Sequence, residues 1–118
     1  MANVKDTSTP YWNDMGVRAK VMCSTYKSMD KNKNFDISNN IDSTYMLELW
    51  KGGCVYCGET DWHKLGCDRI DNSKPHSKDN VVCSCKDCNW IRNANFSFEE
   101  MLMIGEAIRK IKEKRSQS

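Results

Sequence analysis

Four cysteines form two Cys-x-x-Cys pairs, Cys54 with Cys57 and Cys85 with Cys88. Two turns of this kind present four thiolates with little strain, and zinc prefers four such ligands in a tetrahedron. The 27 residues between the pairs exceed the roughly 15–20 of an ordinary zinc ribbon, and the excess is about the length of a β-hairpin. We therefore predict a structural zinc ion at the base of a hairpin. Cys83 is an alternative third ligand, although only Cys85 completes the two-residue spacer with Cys88.

Polar residues occupy the segment around and between the two pairs. Asp68 and Arg69 lie on the first predicted strand with Asp71 directly after it, and Asn89 directly follows Cys88. A carboxylate can hold a hard divalent cation such as Mg²⁺, and an arginine can bind a phosphate through its planar fork. A purely structural zinc site does not need such groups, so the pattern indicates chemistry on phosphates. The structural alternative is that Arg69 and Asp68 form a surface ion pair, which contributes little.

Length and composition indicate how these residues are positioned. A chain of 118 residues is the size of one domain, and its mean hydropathy of −0.73 leaves a modest core that a structural metal would supplement. No run of about eighteen apolar residues exists and residues 1–9 are polar, so we expect neither a membrane span nor a secretory signal. Seven cysteines without such a signal favour metal binding in a reducing, cytoplasmic compartment over disulfides.

The formal net charge of +2 is too small to identify a partner. The C-terminal stretch is more informative, because a single acidic residue, Glu113, stands among the basic residues Arg109, Lys110, Lys112, Lys114 and Arg115. A basic tail of this kind can contact a polyanion. A solvated helix end, whose cations suit the negative helix terminus, explains the same residues equally well.

Periodicity and turn residues predict an α+β fold in three regions: a disordered leader over 1–10, a helical N-terminal extension over 11–50, and a zinc-stabilised core with a C-terminal helix over 51–118. Helices are predicted over 11–33, 43–51 and 86–93, and strands over 65–70 and 80–84. The last helix carries a capping box, with Ser97 as the cap and Glu100 three residues later.

Between Trp50 and Glu100 the sequence resembles the HNH endonuclease family, in particular the small free-standing HNH proteins of bacteriophages. The resemblance rests on the motifs CVYCG, DRIDNSK, DNVVCSCKDCNWIRN and SFEE. The stretch 18–51, with YMLELWKGG at its end, is similar to the helical extension that precedes the nuclease core in that group. The resemblance implies a ββα-metal core, in which a short β-hairpin and the following helix build the site. A phage genome and action in the host cell are further implications.

Carried over residue by residue, the resemblance implies a one-metal mechanism of phosphodiester hydrolysis by a DNA endonuclease or nickase. Asp68 and Asn89 would hold the catalytic Mg²⁺ or Mn²⁺, and Asn80 would be the central asparagine that maintains the shape of the site. Read on its own, Asn80 is most often a turn residue. The four paired cysteines would bind the structural zinc. The divalent metal would stabilise charge on the scissile phosphate and the leaving oxygen while a base activates water.

The site departs from the family pattern at Arg69, which stands where most HNH enzymes carry the general-base histidine. Arginine stays protonated and cannot take a proton from water. His76, in the loop between the strands, is the replacement that we favour, because an imidazole titrates near neutral pH. Asp71 and a hydroxide on the metal remain the other candidates. His63 belongs to the loop after the first cysteine pair and is expected at the surface.

Two functions follow from the sequence. The first is the metal-dependent DNA endonuclease or nickase, and the alternative is a noncatalytic zinc-stabilised module that binds nucleic acid. Both predict DNA as the partner, and whether the protein is a monomer or a homodimer stays open. The residues expected to contact nucleic acid are Arg69, Lys74, Arg92, Lys110, Lys112 and Lys114.

Overall fold

The helices begin where polar side chains cap them. Asp14 accepts a hydrogen bond from the Val17 amide and Asp42 accepts one from the Tyr45 amide, so each carboxylate satisfies a free N–H group of a first turn. Ser97 and Glu100 form the predicted capping box at the last helix. The computed structural model describes residues 14–117. Their helices are α1 (Met15–Asn32), α2 (Ser43–Lys51), α3 (Lys86–Arg92) and α4 (Phe98–Ser116).

A two-stranded antiparallel hairpin joins the helical parts of the fold. Strand β1 covers Leu65–Arg69 and β2 covers Val81–Cys85, with Leu65 opposite Cys85 and Arg69 opposite Val81. A short 3-10 helix, Trp62–Lys64, leads into β1. The last residue of β2, Cys85, is also the cap of α3, so strand and helix follow one another without a loop.

The predicted elements agree with the structure to within a few residues. Each strand is displaced or shortened by one position relative to its prediction, and the capping box is present as expected. The chain is therefore a small α+β fold with four helices and one hairpin in its described part. The predicted leader over 1–10 lies outside the described residues, as does the predicted helix start at 11–13. None of the described helices is both long enough and apolar enough to cross a membrane.

Helices α1 and α2 lie against the hairpin rather than apart from it. The Trp50 indole donates to the Gly66 carbonyl at 3.2 Å, and the Arg18 guanidinium donates to the Leu65 carbonyl at 3.0 Å. The loop between the two helices pairs with the hairpin loop, since the Ile41 amide donates to the His76 carbonyl at 2.9 Å. The region predicted as an N-terminal extension is thus packed directly on the strands that carry the predicted site.

Helix α4 packs on the turn that contains the first cysteine pair. Met101 is fully buried, Ile104 and Ile108 are partly buried against the core, and Ile111 is half exposed. At Gly105 the helix comes so close that an added Cβ would lie 2.7 Å from Tyr56 Cα. A larger residue at this position would therefore separate the helix from the cysteine turn.

Candidate functional site

The four cysteines of the two pairs come together as predicted. Their Sγ atoms all lie within 4.8 Å of one another and all four residues are buried, which is an arrangement that can hold a metal ion such as zinc. The Cys57 and Cys85 sulfurs are 3.7 Å apart. Cys83 is buried elsewhere in the core and does not belong to the cluster, so Cys85 is the residue that completes the group of four.

Local backbone geometry presents these thiols. Gly58 has a φ of +83°, a conformation that favours glycine, and its amide donates to the Cys54 carbonyl at 2.9 Å. At the second pair, the Cys88 amide donates to Cys85 Sγ at 3.4 Å. Hydrogen bonds from Cys85 and Cys88 hold the pKa of the Cys54 thiol below its ordinary value. The four sulfurs are therefore close enough together for one metal ion to contact all of them.

Lys112 of α4 lies beside this cluster. Its Nζ is 3.5 Å from Cys57 Sγ and 3.3 Å from Glu59 Oε1. Burial alone would lower the pKa of Lys112, but the neighbouring Cys57 and Glu59 raise it above its ordinary value. The ammonium thus balances charge at the cysteine cluster, and this contact competes with the predicted role of Lys112 in nucleic-acid binding.

A cavity of about 420 Å³ lies next to strand β1 and helices α1 and α3. The structure brings four of the predicted catalytic residues to its walls: Asp68 and Arg69 from β1, His76 from the hairpin loop, and Asn89 from α3. Helix α1 closes the cavity with Tyr26 and Met29, and Asn72, Asn93, Ala94 and Cys67 complete the lining. Residues that are 21 positions apart in sequence, Asp68 and Asn89, therefore face the same space.

Asp68 is buried and only one of its carboxylate oxygens is engaged. Oδ2 accepts hydrogen bonds from the Tyr56 hydroxyl at 2.6 Å and from Arg92 Nη1 at 2.7 Å. Within residues 14–117, Oδ1 has no hydrogen-bond partner. Asn89 is oriented in a similar way, because its Nδ2 donates to the Cys67 carbonyl at 3.3 Å and leaves the amide oxygen without a partner in the same part of the chain.

Asn80 holds the loop between the strands. Its Nδ2 donates to the Asp71 carbonyl at 3.0 Å and to the Pro75 carbonyl at 2.9 Å, and its Oδ1 accepts from the Asp71 amide at 3.0 Å. These three bonds close the two ends of the loop on one side chain. Asn80 does not line the cavity, and its side chain is fully occupied with the backbone of the loop.

His76 is buried and paired with Asp30, the third residue from the end of α1. Its Nδ1 lies 3.0 Å from both carboxylate oxygens of Asp30, and its ring stacks on Tyr26 with centroids 4.3 Å apart. Burial lowers the pKa of His76, and the Asp30 carboxylate offsets this effect only in part. Burial therefore favours the neutral imidazole over the charged one.

Six further side chains that the sequence analysis considered have different surroundings. Asp71 is exposed and accepts from the Ser73 amide and hydroxyl, outside the cavity lining. Arg69 is half-buried, and its Nη1 donates to the Lys74 carbonyl at 3.0 Å. The side chain of Lys74 is exposed, as are Lys110 and Lys114 on α4, so these lysines are accessible to a polyanion. His63 is exposed and paired with Asp61, as expected.

The prediction that Arg92 contacts nucleic acid is wrong for this structure. Arg92 is 2% exposed and its guanidinium is surrounded by acceptors. Besides Asp68, it donates to the backbone carbonyls of Arg69, Ile70 and Phe96. A planar fork with several donors suits this arrangement, and none of the donors faces solvent. Arg92 therefore stabilises the end of β1 that forms a wall of the cavity.

No family model, curated protein or solved structure matches this chain. Two residues at the cavity were not predicted from the sequence, Asp30 and Tyr26. Both lie on one face of α1, four positions apart. An acidic residue on a helix rich in methionine was a weak signal, because buried carboxylates are rare without a partner, but nothing local identified the partner.

Proposed function

We propose that the protein is a metal-dependent DNA endonuclease or nickase with an HNH-type, ββα-metal site. The observation that carries the proposal is the shared cavity of Asp68, Arg69, His76 and Asn89. These side chains come from a strand, a loop and a helix, and together they supply oxygen ligands, a cation for phosphate and a proton acceptor. The cysteine cluster lies at the opposite end of the hairpin and is assigned to a structural zinc.

The donor set fits a hard divalent cation. Asp68 Oδ1 and the amide oxygen of Asn89 are the free polar atoms of two residues whose other atoms are already bonded. Oxygen ligands of this kind, completed by water and substrate phosphate, are what Mg²⁺ and Mn²⁺ prefer. When bound, the metal would stabilise negative charge on the phosphate and on the leaving oxygen.

The protein's own residues would then carry the proton and orient the phosphate. His76 Nε2 takes a proton from water as the water oxygen bonds to phosphorus. The bond from phosphorus to the leaving oxygen breaks, and that oxygen takes a proton from solvent. Arg69 contacts a non-bridging phosphate oxygen through charge-assisted hydrogen bonds. In this scheme His76 of the hairpin loop replaces the general-base histidine that most HNH enzymes carry at the position of Arg69.

One observation favours the noncatalytic alternative. The ion pair between Asp68 and Arg92 already neutralises the carboxylate that would hold the metal, which lowers its attraction for a cation. A zinc-stabilised module that only binds nucleic acid would retain the same pair for stability. The two functions therefore differ in whether DNA is cut, since both use zinc and exposed cations.

The proposal is tested by nicking of supercoiled plasmid by the zinc-loaded protein with added Mg²⁺ or Mn²⁺. Asp68→Asn is the sharper variant, because asparagine still accepts from Arg92 whereas alanine would leave the buried guanidinium unpaired. We expect Asp68→Asn and Asn89→Ala to abolish nicking while zinc content and melting temperature stay close to wild type. Asp87→Asn, the same chemical change at an exposed position of α3, should nick normally and is the matched control.

DNA affinity, measured without added divalent metal at one fixed salt concentration, separates the two functions. If the wild type binds DNA but does not nick with either metal, the noncatalytic module is the function. If Asp68→Asn and Asn89→Ala both nick at the wild-type rate, the cavity is not the site of cleavage.

A further inference from the structure

Asp30 is the most extensively bonded carboxylate near the cavity. It is 1% exposed, and four hydrogen-bond contacts reach its two oxygens. The His76 amide donates to Oδ2 at 2.8 Å, Asn40 Nδ2 donates to the same oxygen at 2.9 Å, and His76 Nδ1 lies 3.0 Å from each oxygen. These bonds outweigh the effect of burial and keep the pKa of Asp30 below its ordinary value. Asp30 is thus an ionised, buried acceptor.

The pairing has a consequence for the imidazole. An ionised carboxylate only accepts hydrogen bonds, so the ring nitrogen between its two oxygens must carry the proton. In the neutral ring the other nitrogen, Nε2, then holds the free lone pair. Within the described residues 14–117 the hydrogen bonds of the ring involve Nδ1 and not Nε2, and His76 lines the cavity together with Asp68 and Asn89.

A stacked aromatic ring also restricts the orientation of the His76 imidazole. Tyr26, one turn before Asp30 on α1, stacks on the imidazole at an interplanar angle of 14°. The hydrogen bond from the His76 amide to Asp30 already attaches α1 to the hairpin loop. The bidentate contact to Nδ1 and the stacked tyrosine add orientation of the side chain itself.

We propose that Asp30 is a positioning residue, which holds His76 as the Nδ1–H tautomer with Nε2 directed into the cavity. This inference rests on the proposed function, and it makes helix α1 part of the site. As water attacks phosphorus, its proton moves to Nε2 and the imidazole becomes a cation that the Asp30 carboxylate stabilises. The proton on Nδ1 stays on the ring, so Asp30 is ionised throughout the step.

The first test is nuclear magnetic resonance of the His76 ring nitrogens in the zinc-loaded wild type, without DNA or a divalent metal. Above the pKa of His76 we expect the Nδ1–H tautomer, and in Asp30→Asn we expect a mixture of tautomers or the Nε2–H form. This measurement does not depend on nuclease activity, so it tests the positioning even if the protein does not cut DNA. A wild-type ring in the Nε2–H form would overturn the inference.

The second test is the pH dependence of single-turnover nicking. The charged groups that face His76 are Asp30 on α1 and Asp68 and Arg69 on β1, and Tyr26 stacks on its ring. Loss of the Asp30 charge removes an interaction that raises the pKa of His76, so in Asp30→Asn the acidic limb of the log rate should move to lower pH. The plateau should fall by about 10²-fold or more, within the range expected for impairment of a general base.

Matched variants keep the second test decisive. Asp30→Glu retains the carboxylate and should recover part of the rate, whereas Asp36→Asn, an exposed change in the loop after α1, should alter neither rate nor limb. A structural role alone would lower the plateau and leave the limb in place. If the wild type nicks and Asp30→Asn shows an unmoved limb, the positioning role is wrong while the nuclease stands. If the wild type does not nick DNA, the proposed function has failed. The tautomer measurement alone then decides whether Asp30 positions the His76 ring.

Discussion

Arg92 Nη1 lies 2.7 Å from Asp68 Oδ2, with side-chain exposures of only 3% and 8%. The pair joins α3 to β1, behind the wall of the cavity. The oxygen that faces Arg92 stabilises the fold, whereas Oδ1 has no hydrogen-bond partner among residues 14–117. Any variant of Asp68 must therefore be judged for folding before it is judged for activity.

Replacement of Arg92 by methionine should destabilise the protein by about 3–5 kcal/mol, because it leaves a buried carboxylate without its cation. Arg92→Lys should cost less, because it keeps the positive charge beside Asp68. It should still destabilise the protein, because lysine cannot replace the donors to the carbonyls of Ile70 and Phe96. Urea unfolding of the zinc-loaded variants measures both effects. Lys110→Met, at an exposed position of α4, is the control and should be close to neutral. Equal stability of Arg92→Met and wild type would show that the pair contributes nothing.

Cys54→Ser and Cys88→Ser should lose the bound zinc and with it the folded state. In modules of this size the free energy of metal binding is largely free energy of folding, and the total stability of a domain is only about 5–15 kcal/mol. Zinc content by elemental analysis and thermal melting with and without a chelator are the measurements. Cys83→Ala removes a buried thiol outside the cluster, so it should retain zinc and lose only a modest part of its stability. Full zinc occupancy and an unchanged melting temperature in both serine variants would show that the ligands are misassigned.

Acidification should destabilise the protein partly through His76. Its pKa is lowered by burial from the ordinary value of 6.5, so the unfolded chain binds a proton there at a pH where the folded chain does not. The free energy of unfolding should therefore rise with pH up to about 6.5 and then level off with respect to this group. The pKa of Asp30 is also lowered. Its contribution to stability is fully present above the ordinary pKa of an aspartate, and it is lost as the pH falls below that value.

The measurement is urea unfolding of zinc-saturated protein between about pH 5.5 and 7.5, where the cysteine ligands are least disturbed by acid. His76→Gln should show a shallower rise over this interval than wild type. His63→Gln, which changes the exposed histidine, is the matched control and should keep the wild-type slope. An identical slope in His76→Gln and wild type would contradict the assignment.

Gly105→Ala should destabilise the protein although alanine is the better helix former. The added Cβ would lie 2.7 Å from Tyr56 Cα, and overpacking costs about 1–3 kcal/mol or more, against about 1 kcal/mol gained in helix propensity. Gly52→Ala has its nearest neighbour, the Leu49 carbonyl oxygen, at 3.7 Å and should be tolerated. Thermal melting compares the two. A Gly105→Ala protein as stable as wild type would mean that α4 can move away from the cysteine turn without cost.

Local features of the sequence determined the parts of this protein that depend on neighbours in the chain. The spacing of Cys54, Cys57, Cys85 and Cys88 predicted the cluster, because a two-residue spacer is itself a turn geometry. The Ser97–Glu100 box predicted the start of α4, because capping bonds close within three residues. That Asp68 and Asn89 belong to one site was implied by the resemblance to the HNH family, and both residues line the same cavity.

Only the tertiary structure decided which side chains are partners across the fold. Asp30 and His76 are 46 positions apart, and their contact exists because the loop after α1 pairs with the hairpin loop. Arg92 was predicted to contact nucleic acid, yet a buried carboxylate and three backbone carbonyls bind its guanidinium inside the fold. Charge and spacing specify what a side chain is able to bind, whereas burial and the approach of distant elements determine which of those partners it meets.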